Sequence, residues 1–300
     1  MVRVFAAVLG AAAFALPANA FAYDWPVKPF DVQHPVRGGF DDPRQDMRKD
    51  GQPEYSFHSG IDISAPDGSP VYAIDPGWVS LRVGAVVVSS PSGQVFGYWH
   101  VHPAVRNGLF VRRHQLIGHI EAGRGHVHLS ESVGGIYLNP LRPGGIAPYV
   151  DHTPPTIDNI VMVSDGHPAD ILGVTGTVDL VADAYDTPPI APPGAWADAR
   201  VSPAVISWRI VSAGDPVMAW RTAIDFRLHL LPSSVFSSVF APGTLQNRPS
   251  HPGDYRYYLA HSFDTRRLVD GVYTLEVTAG DTRGNTTTAT LPFRVANGVG

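Results

Sequence analysis

The chain has 300 residues, 44% of them hydrophobic, a formal net charge of −5 and no cysteine. That is enough apolar material for a sizeable core and enough length for two domains. The acidic balance argues against nucleic-acid binding through phosphate contacts, and the lack of cysteine excludes disulfides, a lipoprotein anchor and thiolate metal ligands.

Residues 1–22 read as a secretory signal peptide. Arg3 precedes an alanine-rich apolar run from Val4 to Leu16, and both Ala18-Asn19-Ala20 and Ala20-Phe21-Ala22 fit small-x-small cleavage sites. The run is short for a membrane span of about 20 residues. An exported chain with no stable span after cleavage is therefore expected, an uncleaved anchor being the other reading. Residues 23–50 are polar and proline-rich. Their charges Asp41, Asp42, Arg44, Asp46, Arg48 and Lys49 read as a solvated loop.

From 56 to 142 short β-runs are broken by Gly and Pro, with strands predicted at 70–73, 78–83, 85–89, 94–100, 109–111, 116–120 and 126–130. Asp67-Gly68 and Asp75-Pro76-Gly77 are turn chemistry, and Ser90-Pro91-Ser92-Gly93 is a hairpin loop. No connection leaves room for a long helix, so an antiparallel all-β fold is expected over an α/β one.

Two stretches in this region carry chemistry. His126 and His128 are two apart, so on a strand they project from one face about 6–7 Å apart. His58 and Asp62 are four apart, a spacing used by helical zinc sites, but the residues at 59–66 (Ser-Gly-Ile-Asp-Ile-Ser-Ala-Pro) are poor helix formers. In an extended chain 58 and 62 would stand about 13 Å apart. They reach one ion only if the chain bends, and Gly60 is where a bend or close approach is least strained. Three nitrogen or oxygen ligands that leave a fourth position open suit a catalytic zinc. A chance His-x-His among 13 histidines is also easily met, and spacing leaves both readings open. His100 and His102 share a face if their strand is continuous, and spacing does not choose between them either.

Residues 151–300 read as a second domain. Asp270–Asn285 runs turn, alternating strand, turn, with Tyr273, Leu275 and Val277 on one face and Thr274, Glu276 and Thr278 on the other. A last strand at 290–295 follows, and earlier ones are expected at 157–163, 176–183 and 204–211. Residues 186–198 and 231–255 read as loops. Tyr255, Tyr257 and Tyr258 read as strand packing, a binding surface being the other reading. Asp183, Asp186, Asp264 and Asp281 match no known calcium loop.

Residues 54–79 resemble the zinc-binding segment of the lysostaphin/LytM-type metallopeptidases, enzymes that cut the peptide part of bacterial peptidoglycan. The resemblance runs from Trp25 to Pro143. It takes in Trp25-Pro26-Val27 with Phe40 and Arg44, Tyr98-Trp99-His100, the 107–120 hairpin, His126-Val127-His128-Leu129 and Asn139-Pro140-Leu141. The five motifs from residue 54 to residue 141, in the right order, make it specific. Asp151-His152-Thr153-Pro154-Pro155-Thr156-Ile157 resembles the entry into Ig-like or fibronectin-like sandwiches. The resemblance implies a LytM-type peptidase domain (duplicated-hybrid-motif fold) at 23–150 and an Ig-like β-sandwich at 151–300.

The same resemblance implies Zn2+ held by His58, Asp62 and His128, with His126 as the base on a water and His100 donating to the oxyanion. It points to His100 over His102, leaving His102, His114 and His119 peripheral. It implies a secreted, periplasmic or cell-wall-associated endopeptidase acting on peptidoglycan stem peptides or cross-bridges. Two departures stand out: the aromatic after His128 is replaced by Leu129, and the loop Ala122-Gly123-Arg124-Gly125 is short. The first is a packing change beside the metal, the second implies an altered substrate preference, and neither removes a ligand. The alternatives are a catalytically silent regulator of other wall hydrolases and a latent enzyme whose second domain covers its groove. Neither the bond cut nor the oligomeric state follows from the sequence.

Overall fold

The computed structural model describes residues 22–48 and 50–298. The signal-peptide reading of 1–22 thus lies outside the described residues, Ala22 excepted. Among the described residues no helix is long and apolar enough to cross a membrane.

The first half is built from strands β1 (Val36–Gly38), β2 (Pro43–Met47), β3 (Pro53–Phe57), β4 (Ile61–Ser64), β5 (Pro70–Tyr72), β6 (Gly77–Arg82), β7 (Ala85–Ser89), β8 (Gln94–Trp99), β9 (Val101–Pro103), β10 (Phe110–Val111), β11 (Leu116–Ile120), β12 (His126–Val133) and β13 (Ile136–Leu138). The main sheet is antiparallel in the order β1-β4-β12-β8-β7-β6-β10, with β13 also on β12. β5, β11 and β9 form a second small sheet, and β2 pairs only with β3. β12 lies between β4 and β8, and its first six residues are all buried. Glu131 on β12 accepts from Tyr23 Oη (2.5 Å) and from both terminal nitrogens of Arg142 (2.6 and 2.7 Å), which ties both ends of this half to its central strand.

The second half holds two four-stranded antiparallel sheets. One is ordered β15-β14-β16-β19, from β14 (Thr156–Ser164), β15 (His167–Pro168), β16 (Thr177–Tyr185) and β19 (Arg256–Asp264). The other is ordered β18-β17-β20-β21, from β17 (Val205–Ser212), β18 (Asp215–Asp225), β20 (Gly271–Gly280) and β21 (Thr286–Val295). On β20 the alternation works as expected: Tyr273, Leu275 and Val277 are buried, and the residues between them are only partly so. Met162 and Leu180 from one sheet and Ile206, Trp208, Leu275 and Val277 from the other share one core. β18 escapes sequence reading because it is an edge strand, mostly exposed, with no burial period to detect.

The halves have separate cores, but the boundary is not clean. Phe57, at the end of β3, is buried in the second half's core against Phe226, Phe236 and Phe240. Segment 41–47 is not a solvated loop. Asp41 and Asp42 are fully buried and accept from the backbone N–H groups of Leu231 and Ser202, and Gln45 exchanges hydrogen bonds with the 244–246 backbone and Gln246. Charge composition suggested solvent here. The second half instead supplies the donors.

Candidate metal centre

β3 and β4 belong to different sheets, and the turn between them is what brings 58 and 62 together. The chain bends at Gly60. A Cβ there would collide with the Leu129 carbonyl oxygen and come within 2.9 Å of His128 Nε2, so only glycine fits against β12. Asp62 on β4 is the register partner of His128, and Ser64 that of His126. The cross-strand pairing therefore delivers both histidines to the carboxylate.

His58 Nε2 lies 2.7 Å from His128 Nδ1, and each lies 3.1 Å from Asp62 Oδ1. His58 Nδ1 donates to the Gly39 carbonyl (2.7 Å), which leaves the Nε2 lone pair pointing into the cluster. Donors around a tetrahedral zinc at about 2.0–2.1 Å stand about 3.3 Å apart. The three residues fit a metal ion with adjustments of a few tenths of an ångström. His58, Asp62 and His128 form a group able to hold one.

Electrostatics agree. Burial, helped by the Arg44 charge and opposed by Asp62, pushes His58 down to about 3, so it is neutral, the form that ligates. Burial alone would raise Asp62, but the surrounding histidines, His58 first, outweigh it and hold the carboxyl well below the usual range. It is an anion at neutral pH.

His126 stands one step further out, with Nε2 3.5 Å from Asp62 Oδ1. Its Nδ1 is 2.8 Å from the Arg124 carbonyl, to which it can donate, and 2.6 Å from Arg37 Nη2. Arg37 Nη2 itself donates to the same carbonyl at 2.8 Å.

His100 follows β8 with φ +64, a left-handed conformation, and its N–H donates to Gly84 O. This break ends the strand, so His100 and His102 do not share the continuous strand that their spacing suggested. The His100 ring packs 4.6 Å from that of His126. Burial first, then the neighbouring His126, lowers it to about 4, which keeps it a neutral donor. His102 is exposed on β9. His114 is taken up by Asp24 (2.7 Å) and by stacking on Phe30. His119 pairs in register with Pro70 and His102 on β11.

Sequence reading missed the role of Arg44, whose Nη2 donates to Asp62 Oδ2 at 3.1 Å, and that of Arg37 against His126. Arg44 belongs to the lead-in motif of the resemblance, but neither its residue type nor that of Arg37 names the side chain it meets in the fold. The carboxylates of the second half sort differently. Asp183 pairs with Arg256 and Asp264 with Arg266, whereas Asp186 and Asp281 meet Asp151 in a buried group.

The antiparallel sheet with a His2Asp cluster and two further histidines beside it defines a metallopeptidase-like domain. Residues 56–140 match the model of Peptidase family M23, and this part of the chain is a domain of that family. No curated protein matches the chain. Among solved structures, a zinc-containing peptidase from Vibrio cholerae is similar at 25% identity over 37% of this chain and 37% of its own, with a TM-score of 0.29. The catalytic domain of lysostaphin from Staphylococcus simulans is similar at 20% identity over 36% of this chain and 90% of its own (TM-score 0.31). The catalytic domain of a prophage-encoded M23 protein from Enterococcus faecalis is similar at 26% identity over 42% of this chain and all of its own (TM-score 0.28). The chain thus spans little more than a third of the Vibrio cholerae peptidase.

Proposed function

We propose that this chain is a secreted or cell-wall-associated zinc endopeptidase that hydrolyses peptide bonds in peptidoglycan stem peptides or cross-bridges. In this reading 23–150 is the peptidase domain and 151–300 an Ig-like accessory domain. The observation that carries it is the convergence of His58, Asp62 and His128 within 2.7–3.1 Å, with His126 Nε2 3.5 Å from the shared carboxylate oxygen.

His58, Asp62 and His128 would hold Zn2+, which when bound would supply Lewis acidity and make a water more acidic, toward a pKa of about 7. The chain's own residues do the rest. Neutral His58 and anionic Asp62, together with His128, offer the ligand set. His126, oriented at Nδ1 by the Arg124 carbonyl, presents Nε2 to the water and takes its proton, later returning it to the leaving amine. His100, neutral at working pH, donates a hydrogen bond to the carbonyl oxygen as it becomes negative. Arg44 and Gly39 fix the carboxylate and the His58 ring from behind.

The test is release of new amino groups from purified sacculi of several wall chemistries, using zinc-supplied chain from Tyr23 onward and His128→Ala as control. Release by the wild type alone is expected, and fragment masses name the bond. Release by both proteins, or by neither, overturns the reading. Neither, together with no bound zinc, favours the regulator.

A further inference from the structure

A groove of about 690 Å3, lined as far as Gly125, the residue before His126, is shared by the two halves of the chain. On one side lie Arg37, Ser64, Asp67 and Arg124, and on the other Trp196 and Pro249. Its connection to the metal centre is direct: Ser64 is the cross-strand partner of His126, and Arg37 Nη2 is 2.6 Å from His126 Nδ1. The Arg37 guanidinium lies 4.2 Å from the centre of the Trp196 ring, so the second half places an aromatic face over the first half's cation.

Three features define what the groove takes. Ser64 is 6% exposed and its Oγ has no partner, and Arg37 Nε is likewise buried and unpaired. A buried donor left without a partner is destabilising, and an incoming carbonyl or carboxylate oxygen would satisfy it. Two guanidinium groups, Arg37 and Arg124, face the groove; of the nearby carboxylates, both Asp67 oxygens already accept the N–H groups of Gly123 and Gly125 (2.6 and 2.7 Å), and Glu121 stands 3.7 Å from Arg124 Nε, leaving the Arg124 terminal nitrogens for a ligand. Trp196, with Pro249 beside it, gives an apolar platform.

We infer that the second half is part of the substrate site. Trp196 forms the far wall of a subsite that binds an extended peptide bearing a free carboxylate, which is held toward Arg37 and Arg124. This rests on the endopeptidase reading, but it concerns binding and is read separately from cleavage.

The test uses the full chain loaded with zinc, and soluble muropeptides released from sacculi by a muramidase, with their carboxyl groups either free or converted to amides. Equilibrium binding and KM are measured for wild type, Trp196→Ala, Trp196→Phe and Arg124→Ala, with zinc content and thermal melting as controls. Trp196→Ala should weaken binding about tenfold with zinc content unchanged, and Trp196→Phe less than about threefold. Amidation should weaken wild-type binding about tenfold, and Arg124→Ala should lose most of that preference. Should Trp196→Ala melt early, Trp196→Phe and Arg124→Ala still decide the matter. Cleavage by the wild type with KM unchanged in every variant overturns the subsite and leaves the peptidase reading standing. Binding as expected without cleavage does the reverse. Absence of binding by the wild type overturns the subsite.

Discussion

Arg44 Nη2 donates to Asp62 Oδ2 at 3.1 Å, so the carboxylate's other oxygen, Oδ1, is the one that faces His58 and His128, at 3.1 Å each. One oxygen is held by the scaffold and one is left for an ion. Arg44 is itself placed by the β2–β3 hairpin, whose far side packs on the second half.

Removing that tether should loosen the site without destroying it. Arg44→Ala is expected to lower zinc affinity about 10–100-fold, as loss of a ligand's outer hydrogen bond typically does. Arg44→Lys should recover only part, since an ammonium lacks the guanidinium's fork. Competition with a chromophoric chelator reads both, and equal affinity in all three proteins would remove Arg44 from the account.

Ligands and base should separate cleanly. His58→Ala or Asp62→Ala should abolish zinc binding, as measured by metal content after dialysis. His126→Ala should keep zinc yet lose about 10²–10⁴-fold in kcat, the usual worth of a positioned general base. Full activity in His126→Ala would mean that another group takes the proton.

Gly60→Ala tests the bend. Its methyl would meet the Leu129 carbonyl and His128 Nε2, so β4 and β12 must separate or the 58–60 segment must move. Loss of zinc binding and a melting temperature lower by several degrees are expected, from a clash of roughly 1–3 kcal/mol or more. A crystal structure with an unmoved backbone would contradict this.

Asp186 gives a pH signature remote from the centre. Burial first, then the Asp151 charge, pushes it up to about 8 from an ordinary value of 3.8. A carboxyl whose pKa is raised by folding binds its proton more tightly in the native state. Its contribution to stability is full below about pH 4 and is lost as pH rises through about 8. Asp186→Asn should therefore flatten the fall in melting temperature between pH 5 and pH 9, measured with a chelator present so that no cation neutralises the three carboxylates. A parallel pH curve for mutant and wild type would show that Asp186 is not the source.

Much of the first half was legible because its chemistry is local. The strand runs, the turn at 90–93 and the shared face of His126 and His128 all follow from period-two alternation and turn residues. The need for a bend near Gly60 follows from the 13 Å that an extended chain would otherwise put between His58 and Asp62, about 3.3 Å per residue. Residues 41–47 misled because Asp, Arg and Gln look the same facing water as facing backbone donors from another part of the chain. Asp42 meets the N–H of Ser202, 160 residues away, and no window on the sequence contains both.

The sequence by itself determined the β architecture and marked His58, Asp62, His126 and His128 as candidate chemistry, because residue type and spacing decide which side chains can donate and which share a face. Tertiary structure decided the rest. It set Asp62 opposite His128 by strand register, ended β8 at His100 with a left-handed residue, buried Phe57 in the core of the second half and laid Trp196 over Arg37. Each depends on contacts between segments far apart in the chain, whose geometry is set by packing and hydrogen-bond satisfaction rather than by local preference.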